Sequence, residues 1–372
     1  MKMQIEIYNM TVLNDKLNIS LEAVCDSFSS LLWDIEYYKC GAFEVYIAAS
    51  PRNIEIFQTG RIVGRDDDKE HFGLIESVEL ETDAEDGDYL IIKGRFLMCL
   101  LERRIIYPTF NFTKLVSYSQ IIMNVVQYNA CTAGIRKIPG LVVGCSSGSC
   151  WDAETKLQVS YDNLMEWVYT ICEKIGGTAN IRLSKTNNEQ YEMIFELSQG
   201  TDRSILQEIN PHIIFSDRYN NLLSFTYFTD TSVKKNYAYV LGKGEGEKRK
   251  RTTYFEGSEP SSLDRYEVHV DAKDISDEEQ VDNETRPLPD AEYSELLKEK
   301  GKQNLVPTKT KSESQIAVQS TQFQYGVDYF VGDFVTVEHH RFGIRQNKIQ
   351  LVGMIESFDR NGRNLTPTFK EE

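Results

Sequence analysis

Alternation of apolar and polar residues at a period of two runs through the first eighty residues and returns near the carboxyl end. Ile5-Glu-Ile-Tyr, Leu17-Asn-Ile-Ser-Leu, Ser30-Leu-Leu-Trp-Asp-Ile-Glu-Tyr-Tyr, Phe43-Glu-Val-Tyr-Ile and Ile54-Glu-Ile-Phe all read as strands. Such a pattern buries one side only, so it demands sheets with one wet face. Twenty Tyr and 18 Phe against nine Pro point the same way. Residues 72–96 predict a hairpin turning at Asp86-Gly87. Leu97, Leu100, Leu101 and Ile105 then share a helical face, and Pro108 stops that short helix.

The middle of the chain changes period. Residues 117–131 predict an amphipathic helix striped by Ile121, Val125 and Tyr128. Residues 132–159 read as a glycine-rich loop. The strongest helix spans 161–175, with Asp162 as its cap and Gly176-Gly177 as its end. Strands follow at 178–184 and 191–197, turning at Asn187-Asn188. A second β block begins at Ile213 and includes the glycine-rich basic turn at 242–251. Residues 271–315 are acidic, then Lys- and Ser-rich. Strands return over 316–370, with a hairpin turn at Asn361-Gly362.

The expected organisation is therefore a first β-barrel at 1–115, an α/β insertion at 116–205, a second β block at 206–270, an insertion or linker at 271–315, and completion of the second barrel at 316–372. A length of 372 residues leaves room for two or three domains. No apolar run is long enough for a membrane-spanning helix. The opening run reads as a strand rather than a signal peptide, and seven Cys without repeated spacing suit free thiols.

No catalytic signature emerges. Five His include no His-Glu-x-x-His, and the consecutive His339 and His340 would face opposite ways on a strand. Cys145 and Cys150 lack metal or redox spacing. Asp66-Asp-Asp and Glu278-Glu lie in charged stretches that suggest solvated carboxylates with ordinary pKa values. Trp33, Trp151 and Trp167 suit core or interface anchors. Fifty-seven acids against 41 bases give a net charge of −16, which does not hold nucleic acid by counterion release. Lys248-Arg-Lys-Arg could touch nucleic acid or form a rim against an acidic neighbour, and both readings stand.

Two stretches and the tail of the chain carry a resemblance. Tyr89-Leu-Ile-Ile-Lys-Gly-Arg-Phe-Leu-Met-Cys-Leu-Leu-Glu-Arg-Arg-Ile-Ile is similar to a strand, Gly, short helix and Leu-Leu-x-Arg-Arg element of phage tail hub proteins. These include the Gp37-like family of siphoviruses and the amino-terminal part of tail-associated lysins. Asn221-Leu-Leu-Ser-Phe-Thr-Tyr, Asn236-Tyr-Ala-Tyr-Val-Leu-Gly-Lys-Gly-Glu-Gly and Arg249 resemble the family's next pattern. Tyr329-Phe-Val-Gly-Asp-Phe-Val-Thr-Val and Ile355-Glu-Ser-Phe-Asp-Arg-Asn-Gly resemble its ending.

The resemblance implies a β-rich α+β fold of two small pseudo-symmetric β-barrels with α/β insertions. It implies a homotrimeric ring adapting a hexameric tail tube or distal tail protein to a trimeric tip or fibre, with DNA passing through. The virion tail, assembled in the host cytoplasm, is the implied location. No catalytic residue, metal or cofactor is implied. Gly94, Arg103 and Arg104 would shape the strand-to-helix junction, the arginines pairing with acids of their own or a neighbouring subunit. Gly242, Gly244 and Gly246 would permit a tight turn at positive φ, with Arg249 completing the pattern. The acidic balance would line the lumen, which predicts acids concentrated on one face. Lysin-type relatives continue into a peptidoglycan hydrolase, whereas this chain stops at Glu372, so a non-enzymatic role is expected. The competing reading is a cell-surface carbohydrate-binding or cell-wall-degrading protein using exposed Tyr37, Tyr38 and Trp151.

Overall fold

The computed structural model describes residues 3–13, 16–83, 87–186, 190–281, 284–316 and 322–371. The chain divides into two compact units, Met1–Thr226 with Glu313–Glu372, and Tyr227–Ser312. In chain order the elements are β1 (Ile5–Leu13), β2 (Lys16–Cys25), β3 (Ser30–Glu36), β4 (Ala42–Ala48), α1 (Pro51–Ile56), β5 (Ile62–Arg65), β6 (Asp68–Asp83) and β7 (Gly87–Phe96). Then come α2 (Cys99–Glu102), β8 (Phe110–Ser117), α3 (Tyr118–Val126), β9 (Leu141–Ser146), β10 (Glu154–Val159), α4 (Leu164–Ile175), β11 (Thr178–Lys185), β12 (Tyr191–Ser198), β13 (Ile214–Ser216) and β14 (Leu222–Asp230). The remainder is β15 (Tyr237–Leu241), β16 (Arg251–Tyr254), β17 (Glu267–Asp271), β18 (Glu278–Val281), β19 (Glu284–Pro287), α5 (Asp290–Gln303), β20 (Lys309–Ile316), β21 (Phe334–His339), β22 (Ile344–Asp359) and β23 (Gly362–Glu371).

The fold is β-rich α+β. Thirteen strands share one sheet, whose main path runs β14-β20-β23-β22-β3-β4-β7-β6-β5-β1-β2, with β21 bridging β22 and β13. The first and last β blocks of the sequence meet where β22 pairs antiparallel with β3, from Gly353 opposite Glu36 to Phe358 opposite Leu31. Strict alternation sends Leu31, Trp33 and Ile35 of β3 and Phe43, Val45 and Ile47 of β4 to the buried face. They pack in one core with Phe215, Tyr329, Val335, Val337 and Phe369 from the last block. A second core unites Tyr8, Ile19 and Phe72 with the inserted α3, α4, β9, β11 and β12.

A buried ionic cluster joins the two β blocks. Arg65 of β5 is 1% exposed and Glu356 of β22 is 2% exposed. Arg65 Nη1 donates to Glu356 Oε1 at 3.1 Å, and its Nε donates to Asp67 at 2.8 Å. Its guanidinium lies 4.7 Å from the Phe358 ring centre and 5.5 Å from that of Trp33. Arg363 also donates to Glu356. Beside it, Trp33 Nε1 donates to Asp68 at 3.0 Å, and His71 Nδ1 stands 2.9 Å from the same carboxylate. The carboxylates of Asp66-Asp-Asp are thus not all solvated. Burial acts to raise the pKa of Asp68, but His71, Arg65 and the Glu70 N–H outweigh it and hold it well below the usual range.

Burial acts to lower the His71 pKa, and the Asp68 carboxylate overrides it, so the net shift is upward. A raised folded pKa stabilises fully below the unfolded value, about 6.5, and that contribution is lost as pH climbs through the folded value. The urea midpoint is therefore expected to fall as pH rises from 6 to 9. His71→Gln should flatten that slope and cost about 1.5 kcal/mol at pH 6. Equal slopes for the two proteins would remove His71 as the cause.

Several sequence expectations need correction. Residues 54–57 were expected as a strand, but α1 occupies the segment. Ser50 Oγ accepts the Asn53 N–H at 3.1 Å, and Pro51 opens the first turn. The expected loop at 132–159 contains β9, paired parallel with β12, and β10, paired antiparallel with β8. α4 is capped by Asn163 rather than Asp162: Asn163 Oδ1 accepts from Met165 and Glu166, while its Nδ2 donates to the Glu102 carbonyl. Tyr128 is exposed, because a π-helical turn at Gln127–Thr132 rotates it off the stripe. The turn residues Ala84, Glu85 and Asp86, and the Asn187-Asn188 turn, lie outside the described residues.

The smaller unit has its own core. β15 lies between β16 and β17, and Ala238, Val240, Val270 and Ala272 pack with Tyr293 and Leu297 of α5. Residues 271–315, expected as an insertion or linker, thus carry the β18–β19 hairpin and this helix.

Candidate functional site

The wet face of the large sheet gathers carboxylates. Directly opposed residues of antiparallel strands share a face. Asp34 opposes Ala42, Glu44 opposes Lys93, Glu79 opposes Ile91 and Glu81 opposes Tyr89. Glu36 lies two residues from Asp34 and opposes Gly353. Asp34, Glu36, Glu44, Glu79 and Glu81 therefore share one face across four strands, with Arg95 and Lys93 on it, the latter paired to Glu44 at 2.9 Å. Burial raises the carboxyl pKa of both Asp34 and Glu36, Asp34 adding to the shift at Glu36 and Lys39 opposing each. Thr366, Thr368 and Ser357 continue the polar surface across β22 and β23. Acids, Lys93, Arg95 and apolar residues such as Ile91 share this face, and the period-two pattern alone did not reveal which strands adjoin.

Gly94 lies in β7 between Phe43 of β4 and Ile75 of β6. A Cβ there would sit 1.9 Å from the Leu74 carbonyl oxygen and 2.7 Å from the Phe43 ring. The next residue, Arg95, donates to Glu76 at 2.8 Å and to Glu102 of α2 at 2.7 Å. That bond ties the strand to the short helix and presents Arg103 and Arg104 just beyond it.

Those two arginines line an open cleft of about 520 Å³ together with Arg136, Tyr107, Ile135 and Tyr161. Arg104 Nε donates to the Arg136 carbonyl at 2.5 Å, and its Nη1 donates to the Arg103 carbonyl at 2.9 Å. Arg136 donates to the carbonyls of Tyr107, at 3.1 Å, and Ile105. None of the three forms an ion pair among the described residues. Burial, then the Arg136 and Arg103 cations, lower the pKa of the Arg104 guanidinium. Arg136 was not singled out from the sequence, since only folding brings residue 136 beside residue 104.

In the smaller unit, Gly244 and Gly246 have φ of 106° and 55°, as the turn expectation required. Gly242 does not share that conformation. It is needed for space, because a Cβ there would lie 2.5 Å from the Tyr293 hydroxyl. Arg249 donates to the carbonyls of Gly242 and Leu241 and to Asp271. Lys243 pairs with Asp277 at 2.9 Å, and Lys250 with Asp290. Three of the turn's basic residues are thus paired within their own unit, and Lys248 and Arg251 form no ion pair among the described residues.

The other motif residues hold turns. Asn221 Oδ1 accepts the Ser216 N–H and its Nδ2 donates to the Ile214 carbonyl. Asp333 accepts from the Thr201 N–H, the Phe330 N–H and Arg203. The aromatics proposed for sugar stacking do not serve it: Tyr37 and Trp151 are buried and Tyr38 is half-buried. Tyr37 instead accepts the Gly200 N–H and donates to the Gly176 carbonyl. All seven cysteines are free. Burial pushes the Cys150 thiol up to about 11, away from nucleophilic use at neutral pH. Among the described residues no group of His, Cys, Asp and Glu is placed to hold a metal ion, and no helix is long and apolar enough to cross a membrane.

The sequence matches the family described as Siphovirus ReqiPepy6 Gp37-like protein over residues 5–369. No curated protein matches the chain. Among solved structures, a tail protein from Neisseria meningitidis MC58 is similar at TM-score 0.60 and 13% identity, covering 100% of this chain and 97% of that one. The 43 kDa tail protein of prophage MuSo2 from Shewanella oneidensis is similar at TM-score 0.58 and 11% identity, with 99% and 98% covered. Prophage tail protein gp18 from Listeria monocytogenes EGD-e is similar at TM-score 0.54 and 10% identity, with 99% and 94% covered. At these identities the likeness is one of fold.

Proposed function

Because the chain belongs to the Siphovirus ReqiPepy6 Gp37-like family, we propose that it is a structural component of the virion tail, the hub of a phage tail tip or baseplate. The family match over nearly the whole chain carries this reading, and the tail proteins that share the fold support it. In this reading the chain has no enzymatic role and is assembled in the host cytoplasm. Three copies form a ring of six β-barrels that adapts a hexameric tube or distal tail protein to a trimeric tip or fibre. The division into a first barrel at 1–115, insertions, and a second barrel completed by 316–372 is part of the proposal.

The acidic sheet face faces the lumen, where like charge keeps passing DNA from adhering. Gly94 and Gly242 allow close approach, Gly244 and Gly246 turn the chain, and Arg249 fixes that turn.

Native mass with negative-stain imaging tests the assembly. The expected particle is a ring near three times 42.8 kDa. A monomer without rings, even after mixing with tail-tube or distal-tail protein, would overturn the hub.

A further inference from the structure

We infer that the arginine cleft of the larger unit is a docking surface for carboxylates of a second copy of this chain. The inference rests on the ring assembly proposed above and names the contact that would build it.

The first ground is charge. The chain carries 57 acids against 41 bases, and several of its arginines pair with a carboxylate. Arg65, Arg95, Arg182, Arg203, Arg249 and Arg265 all do. Among the described residues Arg103, Arg104 and Arg136 form no ion pair, Arg103 acting on Glu102 only at longer range; Arg61 and Arg251 are also unpaired, and what sets these three apart is that they stand together in one cleft. They crowd three positive charges together, and Arg104 and Arg136 spend donors on backbone carbonyls. Those bonds fix two of the guanidiniums in place, while Arg104 Nη2, Arg136 Nε and the whole Arg103 fork remain to receive an anion. Guanidinium forks match carboxylates in bidentate geometry. A second copy of this chain offers such carboxylates outside the lumen-facing sheet, exposed Glu154, Glu166 and Glu208 among them.

The second ground is the rim. Ile135 is wholly exposed, Tyr161 is 68% exposed and Tyr107 is 55% exposed. Tyr161 holds φ of 60°, a left-handed conformation that a bulky side chain rarely adopts. The backbone is strained where an aromatic ring is held out to solvent. Arginine with exposed tyrosine is the composition of interface anchors rather than of an ordinary wet surface. A cleft of one sign meeting acids elsewhere on the same chain makes a heterologous contact, the kind that closes rings.

The test is sedimentation of the full chain across protein concentration and salt, with Arg103→Glu/Ile135→Asp compared with wild type. Neither side chain makes a hydrogen bond among the described residues that the fold would lose, and thermal melting checks the variant. Lys156→Glu, an exposed charge reversal on β10, is the control. The expected result is trimerisation at least tenfold weaker in the cleft variant, unchanged in the control, and weakened by salt in wild type. Trimers of equal strength in wild type and cleft variant would overturn the cleft while leaving the hub standing. A wild-type monomer at every concentration, and still after mixing with tail-tube or distal-tail protein, would overturn both. Binding of a fluorescent oligothymidine, lost in the cleft variant, would assign the cleft to nucleic acid and overturn the inference.

Discussion

Glu356→Leu is expected to lower stability by about 3–5 kcal/mol, seen as a large drop in the urea midpoint at an unchanged slope. The carboxylate is 2% exposed and is shared by Arg65 and Arg363. Removing it leaves the Arg65 guanidinium buried between Trp33 and Phe358, hydrogen-bonded to Asp67 alone among the described residues and attracted by Asp68. Arg363 can turn towards solvent because it is partly exposed, but Arg65 has no such exit. The dominant cost is therefore a buried cation short of a partner.

The cost of breaking the pair exceeds the worth of having it. Replacing both groups, Arg65→Met with Glu356→Leu, removes the unpaired cation and fills the volume with apolar atoms. The double variant should recover a large part of the single variant's loss, giving a coupling of about 2 kcal/mol. Wild-type-like stability in Glu356→Leu would mean that water or rearrangement satisfies Arg65. The position matters to function because Arg65 lies on β5 and Glu356 on β22, so the pair fastens the two β blocks that make up the acidic sheet face.

Local pattern revealed most of the elements and few of their neighbours. The alternation in β3 and β4 exposed their buried faces directly, and α4 showed its helical spacing and its glycine end. β9 was hidden because Gly144 within it and Gly140 before it look like loop punctuation; Gly144 is there because the Ile194 side chain would lie 2.6 Å from a Cβ. The short α1 was hidden because two isoleucines mimic a period of two, although Ser50-Pro51 is a helix start. The pairing of β3 with β22, more than three hundred residues apart in the chain, left no local trace. The arginine cleft was half legible: Arg103 and Arg104 were marked by resemblance, but Arg136 and Tyr161 arrive from other elements. The buried role of Asp68 was obscured because its neighbours Asp66 and Asp67 make the segment look solvated.

Gly94→Ala is the second large effect expected, about 3 kcal/mol of destabilisation, from steric overlap rather than charge. Most glycine substitutions in sheets are limited by packing of a side chain that can move. Here the nearest atom is the Leu74 carbonyl oxygen at 1.9 Å, part of the adjoining strand's backbone. The β6 ladder shifts register between Ile75 and Ser77 just opposite, so β6 and β7 are already drawn together at an irregular point. Phe43 adds a second obstacle, its ring packing where Cβ atoms of both Gly73 and Gly94 would lie. Combining Gly94→Ala with Phe43→Leu relieves the ring and leaves the carbonyl, so the pair should stay far below wild type. Lys93→Ala, one residue earlier and exposed, should change stability by only about 0.5 kcal/mol. The damage should also reach the cleft. Displacing β7 moves Arg95, Arg95 holds Glu102 of α2, and α2 presents Arg103. If Gly94→Ala folds at low temperature, its self-association should weaken along with that of the cleft variant, whereas Lys93→Ala should associate normally. A stable Gly94→Ala protein with wild-type assembly would show that the strands can part without consequence and would break the link from this glycine to the arginines.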